Sequence, residues 1–143
     1  MPSQDRAASL SEPLTRAAAP AVSSQALDRN VMLATVEHDL GLLRELAELF
    51  FAESPGLLTQ IRLGVRDNNA EAVERSSHTL KGALSSFGAL SACDAARALE
   101  LRGREARFDG APDLLSALER EVSRACNELS KFLEEAPREG PAR

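Results

Sequence analysis

The chain has 143 residues, of which 43% are hydrophobic, and its 17 basic and 22 acidic side chains give a net charge of −5 with neutral histidines. These values are typical of one globular domain. Only 3% of the residues are aromatic, five Phe with neither Trp nor Tyr, which argues against a β-sandwich or barrel and favours a helical protein. The net acidic charge argues against a nucleic-acid-binding surface.

The two ends of the sequence lack the apolar periodicity that a packed helix needs. Residues 1–26 are rich in Ala, Ser and Pro, which predicts a disordered N-terminal tail. Residues 136–143 predict a short flexible C-terminal tail, so the folded domain is expected at 27–135. Charged residues interrupt the first stretch, which makes it a poor signal peptide. No apolar run reaches the roughly 18 residues of a membrane span, so we expect a cytoplasmic protein without a membrane partner.

Apolar side chains spaced by three and four residues predict five helical segments. In chain order they cover residues 27–36, 39–65, 70–87, 90–105 and 112–135. We expect the first segment to be a short lid. We expect the second to be one kinked helix in spite of Pro55, because Leu43, Phe50 and Leu57 keep a seven-residue spacing across it. Four long amphipathic helices with short turns predict an all-α fold, an antiparallel up-down four-helix bundle with a short N-terminal lid helix.

The third predicted helix carries a polar strip on the side opposite its apolar stripe. The strip consists of His78, Lys81, Gly82 and Ser85. Glycine inside a helix costs roughly 1 kcal/mol relative to alanine, so Gly82 indicates that a bulky group must approach the imidazole. Lys81 is one of only two lysines in the chain, and an ammonium within a turn of an imidazole suits a phosphoryl group. The alternative for His78 is an ordinary solvated histidine.

The other residues that could carry chemistry are expected to be structural. His38 lies in a predicted loop without a lysine and glycine spaced as they are around His78, so we expect it at the surface. Cys93 and Cys126 have neither a CxxC motif nor a flanking histidine, and we expect two small buried side chains and no metal site. No GxSxG motif, Gly-rich phosphate loop or HExxH motif occurs, so the common catalytic classes are unsupported.

The polar strip lies inside a recognisable pattern, because residues 78–82 read HTLKG and residues 87–89 read FGA. This pattern resembles the signature of histidine-containing phosphotransfer (HPt) domains, the carriers of multistep two-component phosphorelays. The similarity covers about residues 27–135 and includes the segment EHDLGLLRELAELF, the turn Asp67-Asn68-Asn69 and the pair Leu99-Glu100. Ser85 and Ser86 depart from the family, which often has glycine and then asparagine or a similar polar residue there. We expect this departure to alter the fit of the partner.

The resemblance implies a phosphocarrier. His78 would accept a phosphoryl group from a receiver-domain aspartate and pass it to another response-regulator receiver, Lys81 would steady the group, and Gly82 would leave room for the partner. The receiver would supply the acceptor aspartate and a magnesium ion. The chain itself would need no cofactor and would have no kinase activity of its own, so the word enzyme fits it only loosely. We expect a monomer.

Two other functions stay open. The phosphoacceptor domain of chemotaxis histidine kinases carries a similar His-x-x-Lys-Gly followed by Phe-Gly, so the chain could serve a hybrid or chemotaxis-type histidine kinase acting in trans. The second is a non-catalytic helical adaptor bundle whose site has decayed. The sequence identifies neither the partner receivers nor the direction of phosphoryl flow.

Glu100 is the last predicted site residue. Antiparallel pairing across the turn between the third and fourth helices places positions 99 and 100 level with His78. We expect Leu99 in the core and Glu100 turned outward, where it accepts a hydrogen bond from one ring nitrogen and leaves the other free to attack. In the similar chemotaxis domain a glutamate plays this part. The alternative is a surface glutamate that pairs with Arg97 or Arg104 along its own helix.

Overall fold

The computed structural model describes residues 25–137, which form helices and turns without a strand. The helices are α1 Arg29–Thr35, α2 Leu40–Asp67, α3 Ala70–Ser86, α4 Leu90–Glu105 and α5 Ala111–Glu135. Each long helix packs against the next in the chain, and α2 also contacts α5, which closes the bundle. The predicted all-α up-down bundle is therefore confirmed. The predicted tails cover residues 1–26 and 136–143, and all but two residues of each tail lie outside the described part.

Helix α2 runs without interruption through Pro55, so the prediction of one helix is confirmed. Pro55 is exposed, where the loss of one backbone donor costs less than it would in the core. The seven-residue stripe faces inward, since Leu43 and Phe50 are buried. Asp39 caps the start by accepting from the Leu42 amide, and Asn68, in the left-handed conformation, ends the helix.

The turn between α3 and α4 is built on Gly88, whose φ of +68° favours glycine. A Cβ there would lie 2.5 Å from the Asp28 carbonyl oxygen, and the Asp28 amide donates to the Gly88 carbonyl at 2.8 Å. This contact anchors α1, whose Met32 is fully buried. Ala26 is buried and donates its amide to the Glu128 carboxylate, so the prediction that places it in the disordered N-terminal tail is wrong for this residue.

Helices α3 and α4 approach each other closely at Gly103. A Cβ at this position would lie 2.5 Å from the Glu74 amide nitrogen and 2.8 Å from the Ala70 carbonyl oxygen. Only glycine allows this distance between the two backbones. The close approach brings Glu100, one turn before Gly103, and Arg104, the next residue, against side chains of α3.

The two cysteines are free. Cys93 is buried, as predicted, and its thiol donates to the Lys81 carbonyl oxygen at 3.7 Å. Cys126, on α5, is only half-buried, so the expectation of burial is wrong for that residue. Burial raises the pKa of both thiols. Within residues 25–137, no helix has the length and apolar character to cross a membrane.

Candidate functional site

His78 lies on the exposed side of α3, with 66% of its side chain accessible to solvent. Its Nδ1 atom is 2.8 Å from Oε2 of Glu100 on α4, so the predicted contact between the two helices is present. An ionised carboxylate can only accept a hydrogen bond. The ring proton of neutral His78 is therefore on Nδ1, where it is donated to Glu100 in a hydrogen bond. Nε2 is left as the nitrogen with a free lone pair.

Glu100 is buried, with 4% of its surface exposed, so the expectation that it turns outward is wrong. Leu99 is fully buried, as predicted. The close packing of α4 on α3 explains the burial of Glu100, because the carboxylate lies between the helices instead of beyond them. Lys81 Nζ is 2.7 Å from Oε1 of Glu100. The hydrogen bond from Lys81 lowers the pKa of Glu100 most, and the one from His78 lowers it further, although burial raises it.

Arg104 also contacts the Glu100 carboxylate. Its Nη2 atom lies 3.1 Å from Oε2 of Glu100, and its Nε lies 3.3 Å from Oε2 of Glu74 on α3. The alternative pairing along α4 is thus present together with the His78 contact, whereas Arg97 pairs with Asp94. Sequence reasoning did not place Arg104 in the site. The available signal was its spacing of four residues from Glu100.

The surface one turn after His78 is open. A Cβ on Gly82 would meet no atom within 4 Å, and Ser85 is exposed a further turn along α3. Within the described chain, no hydrogen bond joins Ser85 to His78 or Glu100. Three of the predicted site residues therefore form one bonded cluster, His78, Lys81 and Glu100, while Gly82 and Ser85 form its exposed border.

Two grooves flank this open surface. A charged groove of about 410 Å³ lies between α3 and α4 beside His78 and Arg104. An apolar groove of about 130 Å³ lies between α2 and α3, and its lining includes Phe50, Ala83 and Leu49. Leu49 is 54% exposed. His78 thus lines the charged groove, and its neighbour in the chain, Thr79, lines both grooves.

Two other predictions concern residues away from this cluster. His38 is exposed, as predicted, and lines a separate groove beside Phe132. Among residues 25–137, no group of three or more His, Cys, Asp or Glu side chains is arranged to hold a metal ion.

We expect Glu100→Gln to lower the free energy of unfolding at neutral pH by about 1 kcal/mol, because a neutral amide does not balance Lys81 and Arg104. In the folded protein the pKa of Glu100 lies below its ordinary value of 4.5. At a pH between the folded and the ordinary pKa, the unfolded chain therefore binds more protons than the folded chain. The stabilisation that the Glu100 charge provides is complete above the ordinary pKa and is lost as the pH falls through the folded pKa. Urea denaturation at about pH 7 and about pH 3 should show this loss.

The matched control is Asp94→Asn, which changes an exposed carboxylate on the same helix. It should alter the free energy of unfolding little at either pH. A difference between wild type and Glu100→Gln that stays constant across the pH range would contradict a role for the Glu100 charge in stability.

Comparison with known proteins places the chain in a family. The family model described as "Hpt domain" matches residues 45–128. The crystal structure of histidine-containing phosphotransfer protein B (HptB) from Pseudomonas aeruginosa PAO1 has a TM-score of 0.73 and 23% sequence identity, and the match covers 80% of this chain and 100% of that chain. At this identity the structural likeness concerns the fold. No curated protein sequence matches this chain.

Proposed function

This chain belongs to the Hpt domain family, and we propose that it is a phosphocarrier that accepts a phosphoryl group on His78 from a receiver-domain aspartate and passes it to another response-regulator receiver. The observation that carries the proposal is the exposed imidazole whose Nδ1 atom lies 2.8 Å from a buried carboxylate. This contact orients the ring and leaves Nε2 available at an open surface.

The proposed transfer starts from neutral His78, whose Nδ1–H group donates a hydrogen bond to the Glu100 carboxylate. The Nε2 lone pair attacks the phosphorus of the aspartyl phosphate; the N–P bond forms as the P–O bond breaks, and the aspartate leaves as a carboxylate. The ring keeps its Nδ1 proton and becomes positively charged. Glu100 stabilises that charge. No proton is exchanged with solvent, and by microscopic reversibility the same steps in reverse return the group to a receiver aspartate, as a carrier requires.

Lys81 is proposed to bind the transferred group. Its ammonium lies 2.7 Å from Glu100, one turn from His78 on the same helix. A four-carbon side chain with three rotatable donors can turn from the carboxylate to a phosphoryl oxygen on His78. The magnesium ion that offsets the charge of the transferred group is proposed to come with the receiver.

The receiver is proposed to dock over Gly82 and the apolar groove between α2 and α3. Gly82 places no side chain between the partner and the imidazole, and Leu49 offers an exposed apolar contact. Burial of such side chains supplies binding energy for the receiver. We propose that the chain works in this way as a cytoplasmic monomer, with receivers as its partners.

A second candidate is a phosphoacceptor for a histidine kinase acting in trans. The pairing of His78 with a glutamate favours it, because the similar chemotaxis domain also uses a glutamate beside its histidine. The two candidates share the acceptor atom and differ in the donor, which is an aspartyl phosphate in one and ATP bound by a kinase in the other.

The test is incubation of the full chain with a receiver domain charged by radiolabelled acetyl phosphate. We expect an acid-labile, alkali-stable phosphoprotein, and a panel of receivers should identify the preferred partners. A parallel incubation with a chemotaxis-type kinase and ATP, without a receiver, tests the second candidate. Failure of every donor to label the chain would contradict both candidates and leave the adaptor bundle.

A further inference from the structure

The Glu100 carboxylate contacts two cationic side chains, Lys81 and Arg104, one more than its single negative charge needs, in addition to the imidazole of His78. Lys81 lies on Oε1, while His78 and Arg104 share Oε2. The carboxylate itself is buried. The side chains of Lys81 and Arg104 are 26% and 58% exposed, so both reach Glu100 from the solvent side.

We propose, on the basis of the proposed function, that Arg104 is a positioning residue that balances the charge of Glu100 when Lys81 moves to the phosphoryl group on His78. The two cations would then have different tasks. Lys81 leaves the Glu100 carboxylate for the phosphoryl group, and Arg104 stays bonded to Glu100.

The need for a second cation follows from charge. A phosphoryl group adds close to two negative charges beside the imidazole, and Lys81 is the ammonium nearest to it. When Lys81 turns to that group, Oε1 of Glu100 loses its partner at 2.7 Å. With 4% of its surface exposed, Glu100 gains little from water in exchange. The phosphoryl group and Glu100 together carry close to three negative charges, whereas the phosphorylated ring and Lys81 supply two positive charges. Without Arg104 the buried carboxylate would therefore lie in an excess of negative charge, which destabilises the phosphorylated form.

Arg104 is held where this task requires it. Its Nη2 atom bonds to Glu100 and its Nε atom bonds to Glu74 across the α3–α4 interface. The planar guanidinium presents both donors at once, so it need not rotate to hold the carboxylate. The close backbone approach at Gly103 places Arg104 within reach of Glu74. The covalent step is unaffected, since the N–P bond forms and the P–O bond breaks without a further reactant.

The experiment measures the equilibrium constant for phosphoryl transfer between a charged receiver domain and the full chain. Arg104→Gln should shift this constant about tenfold toward the receiver, the size expected for a charge-assisted hydrogen bond at a half-exposed site. The melting curve of the unphosphorylated protein should stay unchanged, because Lys81 still balances Glu100. Arg104→Lys keeps the positive charge, so its equilibrium constant should lie close to that of the wild type.

The matched control is Arg97→Gln, an exposed arginine on the same helix that pairs with Asp94. It should leave the equilibrium constant unchanged. In a Lys81→Gln background, Glu100 depends on Arg104 in both states, so the effect of Arg104→Gln on the constant should shrink. A purely structural role for Arg104 would not produce this dependence on Lys81.

The outcomes separate this inference from the function on which it rests. A wild-type chain that is phosphorylated, with the same equilibrium constant in Arg104→Gln, would overturn the inference and leave the proposed function intact. An equal shift in Arg97→Gln would also overturn it, since any lost positive charge would then suffice. A wild-type chain that is never phosphorylated would overturn both.

Discussion

His78→Gln should abolish phosphoryl acceptance and leave the bundle folded. The amide has no ring nitrogen with a nucleophilic lone pair, so the N–P bond cannot form. The side chain is 66% exposed on the side of α3 opposite the apolar stripe, where substitutions change the free energy of unfolding by less than about 0.5 kcal/mol. Radiolabel transfer from a charged receiver, together with circular dichroism and thermal melting, measures both parts of the prediction.

The chain contains one other histidine, which provides a matched control. His38 is exposed and has a φ of +64°, a conformation that asparagine tolerates better than most residues. His38→Asn should therefore fold and accept the phosphoryl group at the wild-type rate. Label that persists in His78→Gln but disappears in His38→Asn would reverse the assignment of the acceptor.

Gly82→Leu should slow phosphoryl transfer by roughly a hundredfold, the loss expected when reacting groups are displaced by about 1 Å. The leucine side chain would project into the open surface over which the receiver is proposed to approach His78. Within the free chain the added Cβ meets no obstacle, since it has no atom within 4 Å. Gly82→Ala should even raise the free energy of unfolding, by up to about 1 kcal/mol.

Stability and transfer should thus change in opposite directions at Gly82, which urea denaturation and transfer rates together would show. Gly56 provides the control, because it is an exposed glycine within α2 whose Cβ would also meet no atom within 4 Å. Gly56→Leu should stabilise the chain and leave transfer unchanged. Wild-type transfer by Gly82→Leu would refute the argument that glycine provides clearance.

The sequence predicted the features of this protein that depend on one helix at a time. Apolar spacing identified the long helices, including the continuous α2 through Pro55. The same spacing placed His78 and Gly82 on the exposed side of α3, and turn counting placed Glu100 level with His78. These predictions succeeded because side-chain direction repeats with the helical period and because an antiparallel turn pairs residues by simple counting.

The tertiary structure decided how the neighbouring helix surrounds these residues. Helical periodicity reports the angle of a side chain around its own axis, but burial depends on how closely a second helix approaches. Gly103 permits the close approach of α4 to α3, which buries the Glu100 carboxylate. Lys81 and Arg104 then reach the carboxylate from different helices through long side chains with many rotamers. The four-residue spacing on α4 indicated Arg104 as one partner of Glu100, but the arrival of Lys81 from α3 at the same carboxylate is a property of the packed bundle, because no pattern within one helix specifies it.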